Sequence, residues 1–286
     1  MIDYEELKLK AIELKKSGMN YTEISKELKL SLNQIRNWIY YNKKPHQPKN
    51  LPLKESAYKL SEELAYILGV IEGDGSISKV CNNICLSCKD RDFIEEFKRN
   101  LEEWSGIKTS VIYKIDYSKK NRNDLFSVVL CSKEAKLVLN NFNFDSLLNS
   151  TEKIKSNFLR GIYDSEGSVI KANLNIKRKD YTRKVVFYNT NKETILFVAR
   201  LLKDLGIDCS IYNPKLSENR FGNKPVYRIV FSNRKNIERY YKKVGFSIMR
   251  KQEKLKDIVN SYVSKYYELK NIKRTNILEV EPLKCH

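Results

Sequence analysis

A pattern of helices and strands that occurs twice along the 286 residues constrains this chain more than any other feature. Apolar periodicity predicts a helix over residues 61–73 in the first copy and over residues 151–165 in the second. Two strands, a helix, two more strands and a final helix follow each of these leading helices, so that both copies read αββαββα. We therefore predict an α+β fold with two similar subdomains related by a pseudo-two-fold axis.

The two leading helices carry small residues where a second helix could approach closely. Gly69 and Gly73 are four residues apart in the first helix, and Gly161 and Ser165 have the same spacing in the second. Positions i and i+4 share one face of a helix, so each pair forms a flat strip. Because glycine inside a helix costs on the order of 1 kcal/mol relative to alanine, we predict that the two strips pack against each other.

Each leading helix ends in an acid followed by glycine, Asp74-Gly75 in the first copy and Glu166-Gly167 in the second. A carboxylate at a helix C-terminus opposes the helix dipole, and side-by-side packing of the helices would bring Asp74 and Glu166 together. Like charges in that position raise each other's pKa or require a compensating ion. A hard divalent cation with oxygen ligands, such as Mg²⁺, resolves this conflict and is also what phosphodiester hydrolysis needs.

The charge balance indicates a polyanionic partner. The chain has 54 Lys and Arg residues against 35 Asp and Glu residues, for a formal net charge of +19. No apolar run approaches the roughly 18 residues needed to cross a bilayer, and the acidic, polar N-terminus does not have the pattern of a signal peptide. We therefore expect an intracellular protein, cytoplasmic and associated with the nucleoid, that binds nucleic acid and not a membrane.

The first 41 residues contain three predicted short helices with a tight connection between the second and the third, which is the pattern of a helix-turn-helix. This segment resembles the resolvase and transposase type of that module. An alternative is a three-helix scaffold that binds protein. In a DNA-binding module the start of the third helix enters the major groove, and the side chains presented there would be Asn33, Gln34, Arg36 and Asn37.

A basic, proline-containing segment separates this module from the duplicated part. Residues 42–60 hold three of the six prolines among several lysines, and they predict an extended linker that can lie along a phosphate backbone. We place the first repeat at residues 61–150 and the second at residues 151–270. A C-terminal tail, residues 271–286, completes the chain.

The ends of the two leading helices resemble a known motif. Residues 67–75 (ILGVIEGDG) and 159–167 (LRGIYDSEG) are similar to the LAGLIDADG motif, also called the dodecapeptide or DOD type, at a spacing typical of its single-chain form. The resemblance covers about residues 60–265. It implies a monomeric homing endonuclease that cuts both DNA strands across the minor groove and leaves short 3′ overhangs. It also implies that Asp74 and Glu166 are catalytic ligands of Mg²⁺, for which Mn²⁺ could substitute.

The same resemblance gives expectations for neighbouring residues. Glu72 and Asp164, two positions before each acid, fall where the family usually caps or packs. Members often place a polar residue and then a lysine at the end of the second strand of a repeat, beside the scissile phosphate. Lys89 occupies that place in the first repeat and is our candidate for stabilising charge during catalysis, although an ordinary strand-end lysine is the alternative. The second repeat reads Asn189-Thr190 there, without the lysine.

The predicted sheets offer side chains that could contact DNA. From residue 170 onward, apolar side chains such as Ile170 alternate with polar ones such as Lys171, so one face should meet the core and the other should meet base edges and phosphates. The two sheets together would form a pseudo-two-fold DNA-binding saddle. The DNA-contacting side chains that we predict there are Lys114, Lys119, Lys120, Arg122, Lys171, Asn173, Asn175, Lys177, Arg178 and Arg183.

The cysteines raise a second metal hypothesis. Cys85-x-x-Cys88 has the spacing of zinc ligands, with Cys81 nearby. Residues three apart on a strand point to opposite faces, however, so we interpret these cysteines as small hydrophobic residues in a reducing compartment.

Two further functions use the same fold without DNA cleavage. One is a transcriptional regulator that combines a LAGLIDADG fold with a helix-turn-helix; such proteins tend to lose the motif acids, and both are present here. The other is a maturase that binds structured intron RNA. Nucleases built on an HNH core or a His-Cys box need catalytic histidines, and the two histidines of this chain lie far apart, at His46 and His286.

Overall fold

The computed structural model describes residues 4–41, 52–116, 123–175, 180–213 and 225–262. The chain divides into two compact units, Met1–Leu51 and Pro52–His286. The second unit contains both αββαββα repeats.

The first unit is a bundle of three short helices: α1 (Tyr4–Lys16), α2 (Tyr21–Glu27) and α3 (Leu32–Ile39). Asn20 and Ser31 begin α2 and α3 with capping boxes, in which the side chain of each accepts a hydrogen bond from a backbone N–H of the first turn. Gly18 adopts a φ of +99° after α1, which lets the chain turn. The helices enclose a small core made of Ala11, Ile24, Ile35 and Trp38.

The second unit begins with a short 3-10 helix, Glu55–Tyr58, and continues with the first repeat. The elements of this repeat are α4 (Glu62–Ile71), β1 (Ser76–Ile77), β2 (Asn83–Cys88), α5 (Arg91–Ser105), β3 (Val111–Asp116), β4 (Asn123–Cys131), α6 (Lys133–Asn140) and α7 (Asp145–Leu148).

The second repeat has the same order of elements. They are α8 (Glu152–Glu166), β5 (Gly167–Asn175), β6 (Asp180–Asn189), α9 (Lys192–Asp204), β7 (Ser210–Tyr212), β8 (Tyr227–Phe231), α10 (Arg234–Lys243) and α11 (residues 249–262). The leading helices α4 and α8 begin alike, because Ser61 and Thr151 each accept a hydrogen bond from the backbone N–H three residues later.

The strands form two antiparallel sheets of four strands each. Their orders, β1-β2-β4-β3 and β5-β6-β8-β7, are equivalent between the repeats. One face of each sheet packs on the helices, and the buried side chains of that face, including Ile84, Leu86, Val185 and Phe187, belong to one core with the leading helices. The α+β fold and the duplication predicted from the sequence are confirmed.

The linker prediction is wrong for residues 52–60. Leu53 and Ala57 are buried in the core of the second unit, and the indole N–H of Trp104 donates to the carbonyl oxygen of Ala57 at 2.9 Å. The backbone N–H of Leu53 donates to the carboxylate of Glu134. The prolines and lysines indicate an extended segment, but the few apolar residues between them are buried in a pocket that forms only when the repeat folds.

Candidate active site

Helices α4 and α8 meet backbone to backbone at their glycines. A Cβ atom added at Gly69 would overlap the carbonyl oxygen of Phe158. A Cβ atom added at Gly161 would overlap the carbonyl oxygen of Tyr66 and lie 3.0 Å from the amide nitrogen of Val70. Neither position has room for a side chain, so the two helices can approach this closely only with glycine at both.

The contact continues to the C-terminal ends of the two helices. A Cβ atom at Gly73 would lie 2.7 Å from Oγ of Ser165 and 3.5 Å from Cγ of Glu166. Gly73 directly precedes Asp74 in the chain. Asp74 of the first repeat therefore lies beside Glu166 of the second. The structure thus brings all four strip residues into one interface and both acids to its end.

The two acids influence each other electrostatically. Partial removal of water raises the pKa of both carboxyls, and the negative charge of Asp74 raises that of Glu166 further. Asp74 is nevertheless exposed, and Glu166 is partly exposed. A pair of adjacent carboxylates that solvent can reach, each less easily ionised than usual, is a suitable place for a cation.

Lys251 of α11 belongs to this candidate site, and the sequence analysis did not identify it. Its side chain is buried, and Nζ donates to the carbonyl oxygen of Asp164 at 2.6 Å and of Tyr163 at 3.3 Å. These carbonyls lie in the last turn of α8, where the helix dipole favours a positive charge. The charge of Lys251 lowers the pKa of Asp74 and of Glu166, in opposition to the loss of water.

One signal in the sequence could have identified this lysine. Ile248, Leu255 and Ile258 are buried and recur at helical spacing, and Lys251 occupies the same stripe. A lysine on the buried stripe of a helix requires partners, and these partners are backbone carbonyls of a helix 86 to 88 residues earlier in the chain.

Asp164 holds the start of α11 against α8. One carboxylate oxygen, Oδ2, accepts hydrogen bonds from the Tyr66 hydroxyl at 3.0 Å and the Ser247 hydroxyl at 2.6 Å, and the backbone N–H of Ser247 donates to Oδ1 at 3.0 Å. Burial raises the pKa of Asp164 to about 6, while these donors hold it down. Asp164 is therefore a buried structural acid that connects α4, α8 and the segment just before α11.

The N-terminus of α11 also contacts the first repeat. Arg250 makes a bidentate ion pair with Asp90, with distances of 2.8 and 2.7 Å, and the backbone N–H of Met249 donates to the carboxylate of Asp92 at 2.6 Å. Asp90 directly follows Lys89, which is exposed just beyond the end of β2. Cys88 is close enough to Asp74 for that charge to contribute to its raised pKa of about 11, which burial mainly causes.

The arrangement of two repeats around a glycine-rich helix pair agrees with a known family. A family model described as a LAGLIDADG-like domain matches residues 61–142 and 153–245, one stretch in each repeat. The chain belongs to the LAGLIDADG-like family. In both repeats the matched stretch starts at the leading helix, and Asp74 and Glu166 occupy equivalent places in the two stretches.

Curated relatives of this LAGLIDADG-like chain occur in an archaeon and a virus. The protein MJ0314 of Methanocaldococcus jannaschii is 40% identical over 169 residues, which are 57% of this chain and 61% of that protein, so the chain spans less than two thirds of this relative. MJ0398 of the same organism is 28% identical over 267 residues, covering 87% of this chain and 91% of that protein. A DNA polymerase of Acanthamoeba polyphaga mimivirus is 32% identical over 194 residues, 62% of this chain and 10% of that protein.

Solved structures are similar to this chain at low sequence identity. The homing endonuclease I-DmoI, in complex with DNA and Mn, has 20% identity and a TM-score of 0.44, and the match covers 65% of this chain and 97% of that chain. Full-length WhiA from Thermatoga maritima has 18% identity and a TM-score of 0.47, covering 79% of this chain and 71% of that chain. Among the described helices of the LAGLIDADG-like protein, none is long and apolar enough to cross a membrane.

The structure corrects the predicted alternation in β5. Val169 is buried and pairs with buried Val185, so Ile170 points to the opposite face of the sheet. Lys171 pairs with Arg183 on the same face as Val169, although its own side chain is exposed. This orientation is the reverse of the one that the sequence pattern predicts for Ile170 and Lys171.

Arg183 is a second correction, because its side chain is buried and does not lie on an open DNA face. Its Nε donates to the hydroxyl of Ser261 at 2.7 Å, and its guanidinium lies 4.7 Å from the ring centre of Tyr262. Both partners belong to α11. The basic residues around Arg183 in the sequence suggested a DNA contact, but the helix that covers its side chain comes from the far end of the repeat.

The remaining predicted DNA contacts of the sheets are less fully described. Lys114, Asn173 and Asn175 belong to strands β3 and β5, and the register of β5 shifts between Ala172 and Asn175. Five predicted residues lie outside the described part of the chain: Lys119, Lys120, Arg122, Lys177 and Arg178.

The four predicted residues of the N-terminal module lie in the first turns of α3. Asn33 and Arg36 are exposed, and Asn37 is partly exposed. The side chain of Gln34 accepts hydrogen bonds from Ser31 in the capping box, so part of its hydrogen-bonding capacity is used within the helix.

The cysteines of the first repeat make separate local contacts. Cys85 and Cys88 lie three residues apart on β2 and therefore on opposite faces. Sγ of Cys85 is 3.0 Å from Oγ of Ser76, and Sγ of Cys88 donates to the carbonyl oxygen of Asp90. Cys81 is exposed, and its Sγ donates to Oγ of Ser78.

Proposed function

We propose that this protein is a site-specific endonuclease that hydrolyses double-stranded DNA with Mg²⁺ or Mn²⁺ as cofactor. The observation that carries the proposal is the meeting of Asp74 and Glu166, one acid from each repeat, at the end of the α4–α8 contact. Two acids related by a pseudo-two-fold axis match two DNA strands that are themselves related by a two-fold axis.

The donor set fits a hard divalent cation. Both acids offer carboxylate oxygens, and both lose part of their water, so a cation would offset the repulsion between them. Asp74 and Glu166 would hold the ion, with water and phosphate oxygens as the remaining ligands. When bound, Mg²⁺ lowers the pKa of a water molecule and stabilises the leaving oxygen of the phosphodiester.

The other residues of the site would act by electrostatics. Lys251 binds the carbonyl end of α8, and its positive charge lowers the pKa of both acids in opposition to the loss of water. Lys89, exposed beside the end of β2, would stabilise negative charge on the phosphate. The N-terminal helices would add DNA contacts through Asn33, Arg36 and Asn37. The net charge of +19 supplies general attraction to the duplex.

Cleavage tests this function directly. The purified protein would be incubated with Mg²⁺ and a library of plasmids, and the cut ends would be sequenced. We expect a defined site with short 3′ overhangs. Asp74→Asn and Glu166→Gln should each abolish double-strand cleavage while leaving affinity for the site nearly unchanged, because neither acid attracts the phosphates. Ca²⁺ should support binding with little cleavage, since its coordination is looser.

Glu72→Gln is the matched control, because it removes an exposed acid only two residues before Asp74. It should leave cleavage intact, and Lys89→Ala should lower the rate only in part. A wild-type protein that binds a defined DNA site tightly but never cuts it in Mg²⁺ or Mn²⁺ would instead be a regulator. One that binds only intron RNA would be a maturase.

A further inference from the structure

The open faces of the two sheets can be compared position by position through the strand register. In the first sheet Ser76, two residues after Asp74, pairs with Cys85. In the second sheet Ser168, two residues after Glu166, pairs with Val186. Ser87 and Tyr188, each two residues beyond these partners, therefore hold equivalent places in the two sheets.

The rows of side chains that cross the strands at these two equivalent places differ in chemistry. In the first sheet the row continues across the strands from Ser87 to Ser127 and Ile112. In the second sheet the equivalent positions are held by Tyr188, Arg228 and Tyr212.

Both rows lie on the face away from the helices. Buried Leu86 and Val128 alternate with the residues of the first row, and buried Phe187 and Ile229 alternate with those of the second. On the open face of the second sheet, Tyr188 and Tyr212 are 36% and 44% exposed, so solvent and a ligand can reach the row.

Arg228 lies in the middle of the second row, and its side chain stacks on an aromatic ring. Its guanidinium lies 4.8 Å from the ring centre of Tyr212, a stacking arrangement that favours arginine and limits the directions in which it can point. Among the described residues no carboxylate pairs with Arg228. The N–H donors of its planar guanidinium are therefore available to bind two acceptor atoms that lie in one plane.

We propose that Arg228 reads a guanine in the half-site bound by the second sheet, and that the first sheet has no charged reader at the equivalent position. This inference rests on the proposed recognition of DNA by the open sheet faces. A guanidinium donates two hydrogen bonds to O6 and N7 of guanine in the major groove, the commonest specific contact between arginine and a base. Ser127 is too short and too buried for such a contact. The two half-sites are therefore read unequally at this position of the sheets, although the protein has two-fold repeats.

Binding selection with the full chain tests the proposal. Randomised duplexes would be selected in Ca²⁺, which separates binding from cleavage, and sequenced for the wild type, Arg228→Ala and Arg228→Lys. We expect a guanine at one position of one half-site, preferred over other bases by roughly tenfold to a hundredfold. Arg228→Ala should remove this preference at that position alone, and Arg228→Lys should keep part of it. Ser127→Ala, the matched change in the first sheet, should alter nothing.

Tyr212 tests the role of the stack as a positioning residue. Tyr212→Leu should weaken the guanine preference, and Tyr212→Phe should restore it because the ring remains. Unchanged preferences at the other positions would show that each variant is folded.

Three outcomes would overturn the inference. In the first, Arg228→Ala keeps every base preference. In the second, it weakens binding to all sequences equally and reduces the salt dependence by about one charge, as loss of a phosphate contact does. In the third, the wild type selects no sequence, which also contradicts the proposed function. If the protein selects the guanine through Arg228 but never cuts DNA, this inference holds and the proposed endonuclease activity is wrong.

Discussion

At the scale of single residues, Asp164 shows how a motif acid can serve structure instead of chemistry. It lies two positions before Glu166 but is buried, where it accepts hydrogen bonds from Tyr66 and Ser247. Its pKa of about 6 lies above the value of 3.8 for an ordinary aspartate. Folding therefore favours the protonated form, and the stability this contributes is present below about pH 4 and is lost as the pH rises through about 6.

Asp164→Asn isolates this titration, because asparagine has nearly the same shape and is neutral at every pH. Relative to the variant, the wild type should lose about 1–3 kcal/mol of unfolding free energy between pH 4 and pH 7. Urea unfolding of both proteins across this range measures the difference. A difference that stays constant with pH would contradict the assignment.

Lys251 contributes to both stability and electrostatics. Lys251→Met leaves carbonyl oxygens at the end of α8 without their donor, which should cost about 1–3 kcal/mol of unfolding free energy. It should also raise the pKa of Asp74 and Glu166, so protons compete with a bound cation up to a higher pH. Titration of Mn²⁺ binding against pH should show its acid limb shifted upward. Lys254→Met, a change on the exposed side of α11, should shift neither quantity.

At the scale of elements, the contact between α4 and α8 holds the two repeats together and sets the separation of the acids. Any added atom at Gly69 or Gly161 meets backbone of the facing helix, which cannot move aside as a flexible side chain would. Glycine lowers the stability of each helix, but only glycine allows the two helices to approach this closely.

Gly161→Ala measures the balance between these two effects. Alanine favours the helix by up to about 1 kcal/mol, whereas overpacking of a close contact typically costs about 1–3 kcal/mol. We expect net destabilisation, seen as a lower midpoint of thermal unfolding, together with slower cleavage because the acids move apart. Ser165→Ala, which adds no atom to the same strip, should leave the midpoint nearly unchanged. A Gly161→Ala variant more stable than the wild type would show that the helices can separate freely.

At the scale of the whole molecule, positive charge and the division into two units should govern the proposed binding of DNA. The N-terminal unit has its own core of Ala11, Ile24, Ile35 and Trp38. The second unit includes the packed segment from residue 52, so a truncation that respects the structure starts there. Each unit would contribute phosphate contacts, and binding through many such contacts weakens steeply as salt increases.

A protein of residues 52–286 should therefore cleave with unchanged chemistry but bind its site more weakly. Its affinity should fall less steeply with salt, because fewer counterions are released. Affinity measured at several salt concentrations, with footprinting on the same DNA, checks both points. Equal affinity and an equal footprint for the truncated and full-length proteins would assign the N-terminal helices another role.

The sequence by itself determined the duplicated α+β fold, the small strips of the leading helices and the identity of the two acids. These features are local. The spacing of apolar and small residues predicts the buried face of a helix, and an acid followed by glycine lies at the end of α8 and three residues beyond the end of α4. Tertiary structure decided the features that depend on distant partners. Lys251 reaches carbonyls 86 to 88 residues away, Arg183 is covered by α11, and the segment from residue 52 enters a pocket formed by the first repeat. In β5, alternation alone could not say which set of side chains faces the helices, because a shift of one residue reverses both faces of a strand. The pairing of Val169 with Val185 against the core determines which side chains of β5 face the helices.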